Sequence, residues 1–551
     1  MKIKNGIRSG LVALGLLIYL DLIGLPKTFG SSMVLVFAGI VFLFSLVSLR
    51  PKQDEEPKPL ADVLVNGLII GLIVGLIFAL ITFGFANLLA QDIKVAEVFN
   101  QISYENIEAL TGVDKASLRA GQSVLPGLFK LVGYFILAGV LGGGFTRFPA
   151  NQVLQGGDEN KRSSARYWFM LVLPFLFYGF FLALRIEGVD IGGSEENSFG
   201  LVLLYAFIAA ALFAVRDVKP GVHKIVFSVL VIALVLIMPQ LTDLKQNAIL
   251  GAVMIFVIMG IGLNIVVGFA GLLDLGYVAF FAVGAYTYAL LSSPESYVVV
   301  NLPWFNGLNF WAGLPIAIFL GAMAGIMLGV PVLRMRGDYL AIVTLGFGEI
   351  IRLLLLNLRD YTGGPGGILG IPSPTFFGID LGNPKGILYL GMAFGVVVTF
   401  FTIRLRDSKL GRAWVALRED EDVAEAMGIN LVAIKLMAFA SGAAFAALGG
   451  TLYATRQVNI FPDNFALDVS INVLSLIIIG GIGSIEGVIL GSIALIGLPE
   501  ILRSVDEYRI VAFGALLVIM MILRPEGFLP STQRARELHE AETDTPVEVE
   551  G

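Results

Sequence analysis

Long apolar runs separated by short polar stretches dominate this chain. A helix needs about 20 predominantly apolar residues to cross roughly 30 Å of hydrocarbon. Runs of about this length predict membrane-spanning helices near 10–25, 32–49, 62–90, 123–145, 167–185, 199–215, 224–239, 247–268, 276–292, 311–332, 338–357, 385–403, 431–455 and 508–523. The pattern therefore predicts an all-α, polytopic integral membrane protein.

One further apolar run, residues 468–498, is too long for a single membrane-spanning helix and is interrupted by glycines within 480–487. A single crossing there would place Arg524, Arg534 and Arg536 outside, against the excess of basic residues on the cytoplasmic side. We therefore expect a hairpin or a re-entrant pair. Its glycines, Gly481 and Gly483 among them, either expose N–H groups to a substrate carboxylate or only form a turn.

Basic residues in the short loops orient the predicted spans. They cluster on one side, which the positive-inside tendency makes cytoplasmic, at Arg50, Lys52, Arg147, Lys161, Arg162, Arg166, Arg216, Lys219, Lys224, Arg334 and Arg336. The loops 91–122, 186–198, 293–310 and 456–467 then face outside, and both termini face the cytoplasm. The charged start followed by Leu11–Leu20 lacks a convincing cleavage site, so we interpret it as a retained first span.

Composition narrows the function classes. The chain has 551 residues, 57% hydrophobic and 15% charged, with a mean hydropathy of +0.85, which is typical of membrane proteins. A net charge of −6 without a basic patch disfavours nucleic acid. There is no cysteine, and His223 and His539 lie in polar stretches, so we expect no metal site. No Gly-Lys dipeptide occurs, hence no Walker A loop, and we predict no catalytic residue and no cofactor on this chain.

The densest mixed-charge stretch lies between two apolar runs, at residues 404–430. Five basic residues place it in the cytoplasm. From Ala416, apolar residues alternating with carboxylates predict a short helix that ends at Gly428. Such a helix is either an ordinary charged loop of a membrane protein or a docking element for a soluble partner.

The order of residues in this stretch resembles a known coupling segment. Gly411-Arg412-Ala413, Arg418-Glu419-Asp420-Glu421 and Glu425-Ala426-Met427-Gly428-Ile429-Asn430 follow one another. The segment resembles that of ABC-importer permeases, and more narrowly that of high-affinity branched-chain amino acid permeases of the LivM type, although Met427 departs from the strictest general motif. The glycine-rich run 262–286 and the ending 523–530 are similar to the same family.

The resemblance implies a permease subunit of an ATP-driven importer for leucine, isoleucine and valine in a bacterial inner membrane. It implies a second permease of the LivH type, two ATPase subunits of the LivG and LivF types that carry ATP and Mg, and a periplasmic binding protein. The residues it implies for ATPase coupling are Arg412, Leu417, Arg418, Glu419, Asp420, Glu425, Ala426, Met427 and Gly428.

Polar residues inside apolar runs are candidates for the substrate path, because such groups usually face a cavity or a partner. Asn264 and Asp274 are two, although Asp274 could lie in a cytoplasmic turn. Glu349 and Arg352 are three apart and can form an ion pair. The run 362–370 cannot be regular helix, so it is an exposed loop, an outer gate or a receptor-docking surface. The predicted path residues are Asn264, Thr344, Glu349, Arg352, Thr362, Gly363, Gly364, Gly481 and Gly483.

Three regions follow from these features: a membrane extension of several spans at 1–220, the LivM-type core at 221–530, and a disordered acidic cytoplasmic tail at 531–551. Importers of urea or short amides use permeases of the same family, so the substrate is open at this point. An ion-driven secondary transporter is the alternative from another class, with Glu349 as its candidate ion site, and a membrane enzyme is poorly supported.

Overall fold

The computed structural model describes residues 33–49, 60–91, 104–145, 204–212, 222–302, 306–332, 338–497 and 527–529, with single residues within 10–21 and 174–182 and at 335, 499 and 514. The predicted spans near 10–25, 167–185 and 508–523, the acidic tail, and Arg334 and Arg336 lie wholly or largely outside these residues. The chain divides into two compact units, 1–231 with 501–512 and 232–500 with 513–551. The predicted domain limits at 220 and 530 stay predictions.

The first unit is a helical bundle in which glycines allow close packing. Its helices are α1 (Met33–Leu49), α2 (Leu60–Ala90), α3 (Tyr104–Thr111), α4 (Lys115–Arg119) and α5 (Leu125–Phe145). A side chain at Gly67 or Gly139 would overlap the facing backbone, so α2 and α5 meet at these small residues. Phe78 fills the core, with ring centroids 5.4 Å from Phe37 and 6.0 Å from Phe135. Then α6 (Val222–Leu241) contains the point where the chain passes into the second unit.

The second unit carries the longest run of helices. In chain order they are α7 (Leu244–Leu263), which continues as a π-helical turn (Asn264–Phe269), α8 (Val278–Ser292), α9 (Tyr297–Asn301), α10 (Phe310–Val332), α11 (Asp338–Asn357), α12 (Arg359–Thr362), α13 (Pro384–Arg406), α14 (Lys409–Glu419), α15 (Glu421–Ala426), α16 (Leu431–Gln457), α17 (Leu467–Gly480) and α18 (Ile485–Ser492), with a π turn at Ile493–Gly497. Short 3-10 turns lie at Gly364–Gly366 and Pro462–Phe465. The two-residue strands β1 (Thr375–Phe376) and β2 (Ile379–Asp380) form a small hairpin.

Eight helices in the described part are long and apolar enough to cross a membrane: Asp62–Ala90, Leu125–Gly142, Leu244–Phe269, Phe310–Pro331, Tyr339–Asn357, Pro384–Arg406, Leu431–Gln457 and Pro462–Gly480. They confirm the all-α, multi-pass class. The predicted span at 276–292 is wrong as a complete crossing. Helix α8 has 15 residues, which at about 1.5 Å each gives roughly 22 Å, and most of its side chains are buried inside the unit.

The long helix α16 lies at the centre of this unit, packed against α7, α8 and α10. Small residues make the approach possible, since a side chain at Gly284 would overlap Ala447 and one at Gly450 would overlap Phe281. Gly262 likewise faces Gly442. Helix packing is therefore the structural role of these glycines in the run 262–286.

The apolar run 468–498 is broken as predicted. Helix α17 ends at Gly480, and α18 turns back along it after four residues. A side chain at Gly480 would overlap the backbone of Gly487, so the two helices touch directly. Helix α17 belongs to a segment that is long and apolar enough to cross a membrane, and the structure describes the returning arm over Ile485–Gly497. We name this pair the re-entrant hairpin after the prediction, and how far its returning arm crosses the membrane stays a prediction.

Candidate functional site

The mixed-charge segment folds as two short helices, α14 and α15, between the long helices α13 and α16. Asp420 separates them, because its backbone is extended, with φ −155° and ψ 115°. Its carboxylate accepts hydrogen bonds from the N–H groups of Asp422 at 2.9 Å and Val423 at 3.0 Å. The prediction of one helix from Ala416 is wrong, since Asp420 ends the first helix and caps the second.

Gly428 ends the second helix, as the sequence predicts. Its φ is +84°, in the left-handed region that favours glycine. The N–H of Gly428 donates to the Glu425 carbonyl at 2.9 Å, and that of Ile429 to the Ala424 carbonyl at 3.1 Å. An added Cβ at Gly428 would meet no atom within 4 Å. This position is thus constrained by backbone conformation and not by space.

Two buried contacts fix the segment to α16. Trp414 is fully buried, and its indole Nε1 donates to the carbonyl of Ile434 at 3.0 Å. Lys435 is also buried and forms an ion pair with Glu421 of α15. Each of the two short helices therefore has its own buried polar contact with the start of α16.

We expect the Lys435 pair to behave as a buried ion pair in stability measurements. Lys435→Met would remove the buried ammonium group that contacts Glu421 and lower the free energy of unfolding by about 3–5 kcal/mol. The double variant Lys435→Met with Glu421→Leu should recover most of this loss, because no uncompensated charge remains. Thermal unfolding of the purified chain in detergent measures both, and equal losses in the single and double variants would contradict the prediction.

The outer face of the segment combines charge with a small apolar ridge. Val423 is 58% and Met427 79% exposed, whereas Leu417 of the predicted coupling set is buried. The other exposed members of the predicted set are Arg412, Glu419, Asp420, Glu425, Ala426 and Gly428. Apart from Leu417 and Arg418, every residue of the predicted set is thus exposed in this structure.

Arg418 faces the transmembrane core instead. Its Nη1 donates to the carbonyl of Gly268 at 2.9 Å, across 150 positions of sequence. Gly271, with φ +71°, lies against the same side chain, and an added Cβ there would stand 2.7 Å from the Arg418 Cγ. Arg418 therefore joins α14 to the end of the π-helical turn.

The same π-helical turn also holds the re-entrant hairpin. Asn264 is fully buried, and its Oδ1 accepts a hydrogen bond from the N–H of Gly483 at 2.9 Å. Its Nδ2 has no hydrogen-bond partner. One turn of helix therefore contacts both the mixed-charge segment, through Gly268, and the re-entrant hairpin, through Asn264.

The glycines of the re-entrant hairpin are engaged within the chain. Gly481 donates its N–H to the Ile477 carbonyl at 2.9 Å, and Gly483 donates to Asn264. Both have positive φ, +116° and +81°. Of the two alternatives, this geometry matches the turn, and neither of these N–H groups is free for a substrate carboxylate in this conformation.

Asp274 and Thr344 lie at the entry to α8. The Asp274 Oδ1 accepts from the N–H of Gly276 at 2.9 Å, while Oδ2 has no partner. Thr344 accepts from the N–H of Leu275 at 3.0 Å. Asp274 is fully buried. It lies in a turn, which was the alternative considered for it, but this turn is enclosed within the unit and is not exposed to solvent.

Glu349 and Arg352 form the predicted ion pair. The Arg352 Nη2 lies 2.6 Å from Glu349 Oε1, and its Nε lies 3.1 Å from both carboxylate oxygens. Nη1 also reaches Asp463 Oδ1 at 3.3 Å. Arg352 therefore bridges α11 to the 3-10 turn before α17, a contact that the spacing within one helix could not indicate.

Replacing Glu349 by alanine is expected to weaken the fold or abolish transport, because Arg352 loses its closest partner. If the pair is structural, removing Arg352 as well should restore part of the loss. Asp463→Asn serves as the matched control, since it removes the negative charge from the longer and more exposed contact and should have a smaller effect. Melting temperature and uptake measure the two roles separately, and an uptake loss without rescue would indicate a path role.

The glycine run 362–370 has irregular backbone, as predicted. Gly363, Gly364, Gly367 and Gly370 have φ of +74°, +54°, +67° and +65°. Thr362 is buried and donates to the Leu355 carbonyl at 2.6 Å. The N–H and carbonyl of Ile368 pair with Ile460, both at 3.0 Å. The run is therefore pinned to the chain after α16, and its role as a gate or docking surface stays a prediction.

Sequence analysis missed three residues of this architecture: Trp414, Lys435 and Asp463. Lys435 could have been found, because a lone cation within the apolar run 431–455 requires a partner. Asp463 gives no local signal, since its contact with Arg352 joins positions 111 apart.

Comparison with known proteins places these features in a family. Residues 246–524 match the model of the family described as "Branched-chain amino acid transport system / permease component". The high-affinity branched-chain amino acid transport system permease protein LivM of Escherichia coli K12 is 47% identical over 303 residues, which cover 51% of this chain and 69% of the relative. No solved structure matches the chain.

More distant relatives each cover about half of the chain. The probable LivM permease of Methanocaldococcus jannaschii is 25% identical over 297 residues, 49% of this chain and 84% of the relative. The LivH permease of Salmonella typhimurium is 24% identical over 286 residues, 50% of this chain and 91% of the relative. The chain belongs to the family of branched-chain amino acid transport permease components.

Proposed function

We propose that this chain is the LivM-type permease subunit of an ATP-driven importer for leucine, isoleucine and valine. It would pass the amino acid from a periplasmic binding protein through a bacterial inner membrane to the cytoplasm, with both termini cytoplasmic. The identity to LivM of Escherichia coli and the family match support this assignment. In such importers the binding protein largely sets the substrate specificity. Urea and short amides are therefore the alternative substrates to compare with the branched-chain amino acids.

The cytoplasmic segment carries the proposal. It presents an exposed surface of charged residues and a Val423–Met427 ridge, yet buried contacts of Trp414 and Lys435 fix its inner side. The outer side of this segment is exposed, and its inner side is held by buried contacts. Such a segment can transmit a movement of a soluble subunit to the membrane helices. Two ATPase subunits of the LivG and LivF types would bind ATP and Mg, so this chain would be non-catalytic.

The contacts also suggest how the movement would enter the membrane. When the ATPases close, they would displace α14 and α15, and Arg418 would carry that displacement to Gly268. Asn264, in the same π-helical turn, would pass it to Gly483 of the re-entrant hairpin. The ATP state and the loaded binding protein would thereby bias one equilibrium between outward-open and inward-open forms.

The assembly can be tested by gentle purification from the native membrane, followed by identification of the subunits and uptake measurements in vesicles. We expect two ATPases and a LivH-type permease to co-purify, and labelled leucine to enter only when ATP and the binding protein are supplied. A chain that purifies alone and drives uptake with an ion gradient and no ATP would contradict the proposal.

A further inference from the structure

A small hairpin projects from the second unit between the glycine run and α13. Thr375 pairs with Asp380 and Phe376 with Ile379, and Phe377 and Gly378 form the two-residue turn. Both turn residues have positive φ, +48° and +83°, as the tight turns favoured in hairpins require. The chain continues directly into the cap of α13 at Asn383.

The tip of this hairpin is apolar and uncovered. Phe377 is 93% exposed and Ile379 64% exposed, and Phe376 is half exposed beside them. Phe377 is one of only two residues other than glycine with positive φ among those described. A large aromatic side chain is unfavourable in that conformation, and Phe377 gains no burial within this chain. A contact outside the chain would therefore have to stabilise it.

The contacts of the hairpin with Trp311 indicate what surrounds its tip. Trp311 stands at the start of the predicted span α10, and its indole Nε1 donates to the carbonyl of Thr375 at 2.7 Å. The Trp311 ring centroid also lies 5.4 Å from that of Phe376. Tryptophan at the end of a span is typical of the boundary between hydrocarbon and water, so the hairpin lies at the depth of that boundary.

Exposed apolar side chains continue from the hairpin along α10. Beyond Trp311 they include Phe319, Met323 and Met327, which in a multi-pass membrane protein form a surface for lipid. The base of the hairpin is polar, in contrast to its apolar tip. Hydrogen bonds from the Gly382 N–H and the Ser373 hydroxyl lower the pKa of Asp380, so this carboxylate stays charged and favours water.

The other side of the membrane is occupied by the mixed-charge segment. Helix α13 is continuous from Pro384, four residues after the hairpin, to Arg406. Its 23 residues span about 34 Å at roughly 1.5 Å each, which is a full crossing. The hairpin is therefore on the side opposite to α14 and α15, the predicted outer face.

We propose that the hairpin 375–380 is an interfacial membrane anchor, with Phe376, Phe377 and Ile379 inserted at the boundary between lipid headgroups and acyl chains of the outer leaflet. The ligand is the lipid surface itself. A docking site for a soluble binding protein is less consistent with the tip, which offers three exposed apolar side chains and no charge. The anchor would fix the outer ends of α10 and α13 at one depth in the membrane.

Site-directed spin labelling tests this directly, because the chain contains no cysteine and each single-cysteine variant carries one label. The test variants are Phe377→Cys and Ile379→Cys. The controls are Met327→Cys, 73% exposed on α10, and Val423→Cys, exposed on the predicted cytoplasmic face. The full chain is placed in nanodiscs of phosphatidylethanolamine and phosphatidylglycerol, and label accessibility to oxygen and to a water-soluble nickel chelate is measured.

At 377 and 379 we expect oxygen accessibility near that of 327 and nickel accessibility several-fold below that of 423. Adding the loaded binding protein should not change either value. Nickel accessibility at 377 equal to that at 423 would overturn the proposal. So would protection that arises only after the binding protein or the second permease is added, since the tip would then be a protein-docking surface. The first comparison, of 377 and 379 with 327 and 423, uses the chain without partners, so it does not depend on the importer assignment.

Discussion

Replacing Gly428 by valine is expected to abolish uptake while leaving the amount of chain in the membrane unchanged. Gly428 has φ +84°, a left-handed conformation that costs an ordinary residue about 1–2 kcal/mol and a β-branched one more. No atom lies within 4 Å of an added Cβ, so the change should reshape the end of α15 without disturbing the core. Uptake of labelled leucine in vesicles, normalised to membrane content, measures the effect.

Asparagine provides the matched control at this position, since it tolerates the left-handed region far better than valine does. Gly428→Asn should retain most of the uptake if backbone conformation is what matters. Glu425→Lys, which reverses a charge on the exposed face without changing the backbone, should also abolish uptake with normal insertion. Normal transport by Gly428→Val and Glu425→Lys would remove the case for α15 as the coupling helix.

Replacing Arg418 by methionine is expected to uncouple ATP hydrolysis from transport. Methionine keeps the Cβ and Cγ carbons that lie against Gly271 but removes the donor to the Gly268 carbonyl. A hydrogen bond from a charged group contributes about 1.5–3 kcal/mol, and each 1.36 kcal/mol is about tenfold. We therefore expect the increase in ATP hydrolysis caused by the loaded binding protein to fall roughly tenfold to a hundredfold.

The assembled complex should keep its subunits and its basal ATP hydrolysis, which separates this effect from misfolding. Arg406→Met is the control, because Arg406 lies at the end of α13 and pairs with its exposed neighbour Asp407 at 3.0 Å. Loss of the ATPase subunits in Arg418→Met would mean that Arg418 serves assembly. Full stimulation with full uptake would mean that the contact with Gly268 transmits nothing.

The parts of the fold that could be predicted are those encoded locally. The length of an apolar run sets the length of a span, so α2, α10, α11, α13 and α16 follow from the sequence. The spacing of Glu349 and Arg352 within one helix likewise predicts their pair. The glycine at 428 predicts the end of α15 because its conformation depends on its own backbone.

What could not be predicted depends on residues far apart in the sequence. The contact of Arg418 with Gly268 and that of Asn264 with Gly483 each join different helices. For Asp274 the sequence left a buried polar group and a solvated turn as alternatives, and only the packing of other elements shows that its turn is enclosed. The break at Asp420 was missed for a different reason. In the sequence, a carboxylate within a charged stretch resembles an ordinary surface residue of a helix, and only its hydrogen bonds show that it caps the next helix.

The π-helical turn Asn264–Phe269 stores one residue more than an α-helical turn would hold. Returning it to α geometry would advance the following chain by one residue, which is about 1.5 Å along the axis and roughly 100° around it. Such a register slip is a discrete step and not a gradual bend. In the proposed link between the mixed-charge segment and the re-entrant hairpin, this turn would provide two discrete registers, and the structure shows the π-helical one.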